Sequence, residues 1–281
     1  MPLPIGGGLP TLGGMTFPAA CSVALLALAA PAMAQEVPPN VVSASIREGW
    51  RTDSGTQMAA LELRLAPGWK TYWRAPGEGG IPPEFDWSGS SNIGGVAFHW
   101  PKPEVFELNG MRSFGYHGSL VLPIEFRPAA AGEPVHVRAE IDLGVCNEIC
   151  VPMTVVVSAD LAAGGTPDPV IRAALAEMPE RADEAGLTAA RCEAEPIRDG
   201  VRLTSRLALP RLGPDEIAVV ELADRSVWVS AAETRRNGGE LSATADLVPA
   251  DAQPFALDRS AVRITLFGSG GRVVEVQGCT G

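Results

Sequence analysis

The chain has 281 residues, 22 Lys+Arg against 33 Asp+Glu, and a formal net charge of −11 at pH 7. That balance argues against nucleic-acid binding, which needs a basic face to displace phosphate counterions, and against docking on anionic lipid headgroups. With 46% hydrophobic residues the chain can bury real cores, and its 31 Gly and 25 Pro favour short strands joined by many turns over long helices.

Residues 1–34 carry no charged side chain, and residues 19–30 form an apolar run ahead of Pro31-Ala-Met-Ala34. A short apolar run followed by small residues is the pattern of a secretory signal peptide, and the run falls short of the ~20 residues a membrane span needs. A cleaved leader is therefore expected, with the mature chain periplasmic, not stably inserted in the membrane, and its cysteines in an oxidising compartment.

From residue 41 to about 161 the pattern is β. Residues 58–65 end in alternation before the Pro67-Gly68 turn, and 120–126, 135–143 and 153–157 read as further strands. Pro76-Gly77, Gly79-Gly80 and Gly94-Gly95 are turn signals between them. Short strands with frequent turns predict a β-sandwich. Asp168-Pro169 then opens a helix, since Asp caps well and Pro suits the first helical position. From Cys192 the β pattern returns at 201–207, 217–222 and 226–230, with Asn237-Gly238-Gly239 turning a hairpin into 241–247. A terminal hairpin follows at 262–267 and 273–276. The expected organisation is all-β: a signal peptide at 1–34, a first sandwich at 35–165, a short helical connector at 166–190 and a second small β domain at 191–281.

Four cysteines follow the leader, and position pairs them as Cys146 with Cys150 and Cys192 with Cys279, the latter near the two ends of the second β domain. In an extended strand, residues four apart lie about 13 Å apart. A disulfide needs Cα atoms within about 7 Å. Cys146 and Cys150 can therefore bridge only if Asn147-Glu148-Ile149 turns back, which puts the bridge at the tip of a β-hairpin. Closing so short a loop adds roughly 2 kcal/mol, against roughly 4.5 for the loop between Cys192 and Cys279. The long bridge reads as structural. The short one is a poor staple in a reachable place, which suits a redox pair. A hairpin-tip staple and a metal-binding pair are the other readings of the spacing.

Four segments around the pair carry a resemblance. They are Pro67-Gly-Trp-Lys-Thr-Tyr-Trp73 with Pro76-Gly-Glu-Gly-Gly80, then Trp100-Pro-Lys-Pro-Glu-Val-Phe106, then Gly115-Tyr-His-Gly118 leading to Leu122-Pro123, and Cys146-Asn-Glu-Ile-Cys-Val-Pro152. Over roughly residues 40–160 the chain resembles the N-terminal periplasmic domain of the thiol:disulfide interchange protein DsbD, and more closely that of the copper-tolerance protein ScsB. The resemblance implies an immunoglobulin-like domain with protein-disulfide reductase activity and no cofactor. Its cysteine pair would take electrons from a membrane-embedded thiol reductase and pass them to periplasmic thioredoxin-fold oxidoreductases. Cys150 would form the mixed disulfide and Cys146 would resolve it. Phe106 falls where the family places an aromatic cap, and Tyr72 and Tyr116 are candidates for the wall around the pair. Trp69, Trp73 and Trp100 read as core. Full-length relatives carry membrane and thioredoxin-like domains in one chain. This sequence ends at Gly281 without them, so a donor in a separate protein is expected.

Two rival readings stand beside the relay. Cys146 and Cys150 as thiolates could hold Cu(I), a soft metal, with His99 or His117 completing the site. Alternatively the chain is a structural or binding β-sandwich with two stapling bridges. Hydrolytic classes find no nucleophile elbow, HExxH or phosphate-cradling loop in the sequence.

Overall fold

The computed structural model describes residues 40–162 and 164–281; the predicted signal peptide lies outside the described residues. Ten strands build the first half: β1 (Val42–Arg51), β2 (Gln57–Leu65), β3 (Lys70–Gly77), β4 (Glu84–Asp86), β5 (Ile93–Phe98), β6 (Glu104–Leu108), β7 (Met111–His117), β8 (Ser119–Pro128), β9 (Val135–Cys146) and β10 (Cys150–Leu161). They form an immunoglobulin-like sandwich of two sheets, β1-β2-β8-β5 facing β10-β9-β3-β7-β6, with β4 paired to β9.

Alternation explains the core. Along β9, Val135, Val137, Ala139, Ile141, Leu143 and Val145 are buried, while His136, Arg138, Glu140 and Asp142 point outward. Leu61 and Leu63 of β2 and Leu122, Ile124 and Phe126 of β8 meet them from the facing sheet. Gly94-Gly95 does not turn the chain. It sits inside β5 at an irregularity in the β5–β8 register, and a Cβ on Gly95 would lie 2.9 Å from the Arg127 guanidinium, so the glycine makes room for that side chain.

The segment expected as a connector holds one helix, α1 (Pro169–Ala176), with Asp168 capping it by accepting bonds from the Val170 and Ile171 amides at 2.8 and 3.0 Å. Ile171 is fully buried against Met58 and Ala60, so the helix covers the outer face of the first sheet rather than hanging free.

Nine further strands complete the chain: β11 (Glu180–Arg181), β12 (Ala189–Ile197), β13 (Gly200–Ala208), β14 (Ile217–Leu222), β15 (Trp228–Val229), β16 (Glu233–Asn237), β17 (Glu240–Val248), β18 (Val262–Phe267) and β19 (Val273–Gln277). They form a second two-sheet sandwich, β11-β19-β18-β14 over β12-β13-β17-β15, with β16 also on β17. The strand expected at 226–230 shrinks to Trp228–Val229, because β15 shares the partner strand β17 with β16 and pairs only at its end. Gly238-Gly239 joins β16 to β17 as expected, with Asn237 opposite Glu240. Cys192 and Cys279 form a disulfide with a Cα–Cα distance of 5.7 Å.

The two sandwiches share apolar packing. Phe267 and Val273 of the second belong to the core of the first, and the Phe267 ring lies 4.8 Å from Phe114 and 6.0 Å from Trp73, centroid to centroid. Beside them, the Arg74 guanidinium bonds Glu221 at 2.9 and 3.0 Å and Glu275 at 2.6 Å. Strand β3 therefore carries the interface residues Trp73 and Arg74 immediately after Lys70 and Tyr72, which face the cysteines.

Candidate functional site

Strands β9 and β10 form a hairpin in which Cys146 and Cys150 are direct register partners, closed by Asn147, Glu148 and Ile149. The Asn147 amide donates to the Ile149 carbonyl at 3.1 Å, which folds the three residues back. The Cα atoms of the cysteines come to 4.1 Å and the sulfurs are bonded. The two ends of the bridge differ: Cys146 is 1% exposed, whereas Cys150 lies in the exposed class with the turn residues.

That asymmetry has a local cause. Cys146 continues the outward-facing series of β9, which is solvated at Asp142 and becomes covered from Gly144 onward. The cover is Tyr72, 3% exposed, on the neighbouring strand β3. A Cβ on Gly144 would meet the Tyr72 ring at 3.0 Å, and one on Gly80 would meet it at 2.8 Å, so glycine at both positions lets the ring lie flat between strand and loop. This gives the Gly79-Gly80 signal a role beyond turning the chain. Inside the sheet, the buried Thr71 hydroxyl donates to the Gly144 carbonyl at 2.9 Å and holds β3 against β9 beside the cysteines.

The Tyr72 hydroxyl lies 2.9 Å from Cys146 Sγ, 3.2 Å from Cys150 Sγ and 3.3 Å from the Gly79 carbonyl oxygen. Burial pushes the phenol up from its ordinary pKa, so the hydroxyl keeps its proton at neutral pH. A disulfide sulfur is a weak acceptor and a thiolate a strong one, so this proton turns to sulfur when the bridge opens. Tyr72→Phe keeps the ring and removes the donor. Because a hydrogen bond to a charged group is worth about 1.5–3 kcal/mol, the thiol pKa of Cys146 should rise by at least about one unit. Ultraviolet thiolate absorbance against pH in the reduced variant measures this, and an unmoved midpoint removes Tyr72 from the chemistry.

The remaining candidates separate by face. Lys70 is the register partner of Cys146 and of His117, and Tyr72 that of Gly115, which in turn pairs with Glu104. Phe106, two residues along β6 from Glu104, shares this outer face and packs edge-on to His117 at 4.6 Å, with the Lys70 ammonium 4.4 Å from its ring centroid. Phe106 thus stands on the cysteine face, next to Lys70. Tyr116 does not. It pairs with Thr71, whose other partner is the core residue Val145, so its ring points into the sandwich. There it stacks on Trp100 and donates its hydroxyl to the Pro101 carbonyl at 2.8 Å. Tyr116 is core, as are Trp69, Trp73 and Trp100.

The histidines each sit beside a carboxylate: His99 with Glu125, His117 with Glu104 and His136 with Asp160. Among the described residues, no group of three or more His, Cys, Asp or Glu side chains is arranged to hold a metal ion. Lys70 is the residue that sequence reasoning passed over. It stands within the quoted Trp69-Lys-Thr-Tyr72 segment, and its signal was a lone cation among apolar and aromatic neighbours.

Residues 43–161 match the family model for the thiol:disulfide interchange protein DsbD, N-terminal, and all four segments quoted for the resemblance fall inside that span. No curated protein matches the chain. Among solved structures, the N-terminal periplasmic domain of ScsB from Proteus mirabilis is similar at 24% identity and a TM-score of 0.58. That match covers 85% of this chain and 92% of that one, so the fold it shares extends over both sandwiches. The reduced DsbD N-terminal domain of Neisseria meningitidis is 20% identical over 47% of this chain and 95% of that chain, with a TM-score of 0.27.

Proposed function

We propose that this chain, with a DsbD N-terminal-type domain at residues 43–161, is a periplasmic module that carries electrons by thiol–disulfide exchange between a membrane-embedded thiol reductase and thioredoxin-fold oxidoreductases. The observation that carries the reading is the bridge at the hairpin tip, with one sulfur exposed, the other buried, and one tyrosine hydroxyl within hydrogen-bond distance of both. Among the described residues no helix is long and apolar enough to cross a membrane.

The exchange needs no cofactor. In the reduced protein, the Cys150 thiolate attacks one sulfur of a partner's disulfide. The partner's S–S bond breaks, a Cys150–partner bond forms, and the partner's other sulfur leaves as a thiolate and takes a proton. The Cys146 thiolate then attacks Cys150 Sγ, the internal bridge closes, and the partner's second sulfur leaves. The partner has gained two electrons and two protons, and the cysteine pair has lost them. The exposed Ile149 beside Cys150 offers the partner an apolar contact.

The test is the reduction potential of the Cys146–Cys150 pair, obtained by equilibrating the protein in thiol redox buffers, trapping free thiols and locating them by peptide mass. A reversible transition at this pair, more oxidising than about −300 mV, is expected of an exchanger. A bridge that stays closed below that potential is a staple, and the exchange reading then fails. Cysteines found reduced and carrying stoichiometric copper would establish the copper reading, in which the two thiolates hold the metal.

A further inference from the structure

Lysine is scarce in this chain: Lys70 and Lys102 are the two among its 22 Lys+Arg. Lys102 is at the surface, with its Nζ 2.8 Å from Glu177 Oε2. Lys70 is half-buried and makes no ion pair among the described residues. It stands directly across from Cys146, so the two side chains leave the sheet on one face with Cβ atoms about 4.5–5.5 Å apart. Its ammonium rests 4.4 Å from the centroid of the Phe106 ring and 5.9 Å from that of Tyr72. A cation–π contact compensates only part of the hydration a buried ammonium gives up. Burial accordingly lowers the Lys70 pKa.

The other charged groups around the pair are engaged or solvated. His117, on β7, is exposed and lies 3.2 Å from Glu104 of β6. Arg74, further along β3, is held by Glu221 and Glu275. Glu148 in the hairpin turn and Glu78 in the segment after β3 are exposed. Opening the bridge leaves a buried sulfur at Cys146 that must ionise to resolve a mixed disulfide, and burial alone opposes that.

We propose that Lys70 is a positioning residue for the reduced pair: its ammonium rests on the Phe106 ring while the bridge is closed, and turns to the Cys146 sulfur when the bridge opens, holding it as the resolving thiolate. The step makes and breaks no bond of its own; it moves one positive charge on a flexible stem from an aromatic face to a new anion. The same turn takes the ammonium off the Phe106 ring. The inference rests on the thiol-exchange reading.

The test compares reduced wild type, Lys70→Met and Lys70→Arg by the pH profile of alkylation, with the adduct located at Cys146 by peptide mass. An opposite charge nearby lowers a thiol pKa by about 1–3 units. Lys70→Met should therefore raise the midpoint by about one unit or more and slow alkylation at neutral pH about tenfold, while Lys70→Arg keeps the charge and most of the rate. A Lys70→Met profile that matches wild type, or an Arg variant as slow as the Met variant, overturns the proposal. A second measurement needs no substitution. Reductive methylation with labelled formaldehyde reports the two lysines by NMR. By linkage, the Lys70 midpoint should rise on reduction as far as the Cys146 midpoint is lowered by Lys70, with Lys102 unmoved. A Lys70 midpoint equal in both redox states also overturns it. Failure of reduced wild type to exchange with a disulfide-bonded thioredoxin-fold protein would sink the exchange reading instead, and both Lys70 measurements are read without that partner.

Discussion

Cys150→Ser should abolish disulfide exchange, and Cys146→Ser should stop it halfway, with the partner held covalently at Cys150. The cause is steric before it is chemical. A partner's disulfide must approach the attacking sulfur in line, and only Cys150 stands in the exposed turn, while Cys146 lies beneath Tyr72. Without Cys150 the remaining thiol is walled in, and turnover should fall by orders of magnitude. Without Cys146 the first attack proceeds and the second has no nucleophile, so the mixed disulfide accumulates. Incubating each reduced variant with an oxidised thioredoxin-fold protein, then running non-reducing gels with peptide mass on the adduct, reads both outcomes. A stable adduct on Cys146 in the Cys150→Ser protein would reverse the assignment.

The second large effect is on stability. Cys192→Ser should lower stability by about 4.5 kcal/mol on the chain-entropy estimate, equivalent to roughly 10 °C or more in Tm for a chain of this size. The bridge spans 87 residues, so opening it frees a long loop in the unfolded state. It also fastens the last residues in place. The Cys192 amide donates to the Thr280 carbonyl at 2.7 Å, and the Thr280 amide to the Ala190 carbonyl at 3.0 Å. Cys192 is 1% exposed in the second core, so the change also leaves a polar hydroxyl in apolar surroundings, beside Ser205. Calorimetry or thermal fluorescence gives the shift, and the exchange rate of the Cys146–Cys150 pair should be unchanged. An unchanged Tm would remove the structural role of this bridge.

The two bridges show the division between separation along the chain and position in the fold. Loop length alone separates a strong staple from a weak one, and both partners can be read from position. Which sulfur of the short bridge faces solvent cannot, because it depends on Tyr72 arriving from another strand 74 residues away. Strand β9 was readable because its inward residues are apolar and its outward ones charged. Strand β3 was not, since Lys70-Thr-Tyr-Trp-Arg74 shows no clean alternation. Both of its faces are covered, one by the sandwich core and the other by the 76–81 loop and the second sandwich, so neither needs to be uniformly polar.

The same reason decides the aromatic candidates. Tyr72 and Tyr116 both sit in quoted motifs, and nothing local separates them. Pairing Thr71 with both Tyr116 and Val145 turns one tyrosine inward, while pairing Lys70 with Cys146 turns the other toward sulfur. By itself the amino-acid sequence determined the β class, the turn at Asn147–Ile149 that a Cys146–Cys150 bridge requires and the motifs that surround it, because each follows from local periodicity or turn chemistry, and position along the chain suggested both cysteine pairings. Only the tertiary structure decided which side chains share the cysteine face, that Lys70 is among them with no carboxylate partner among the described residues, and that the second sandwich grips the same strand through Trp73 and Arg74. Those depend on strand register between distant segments, and a shift of one residue would exchange the two faces of the sheet.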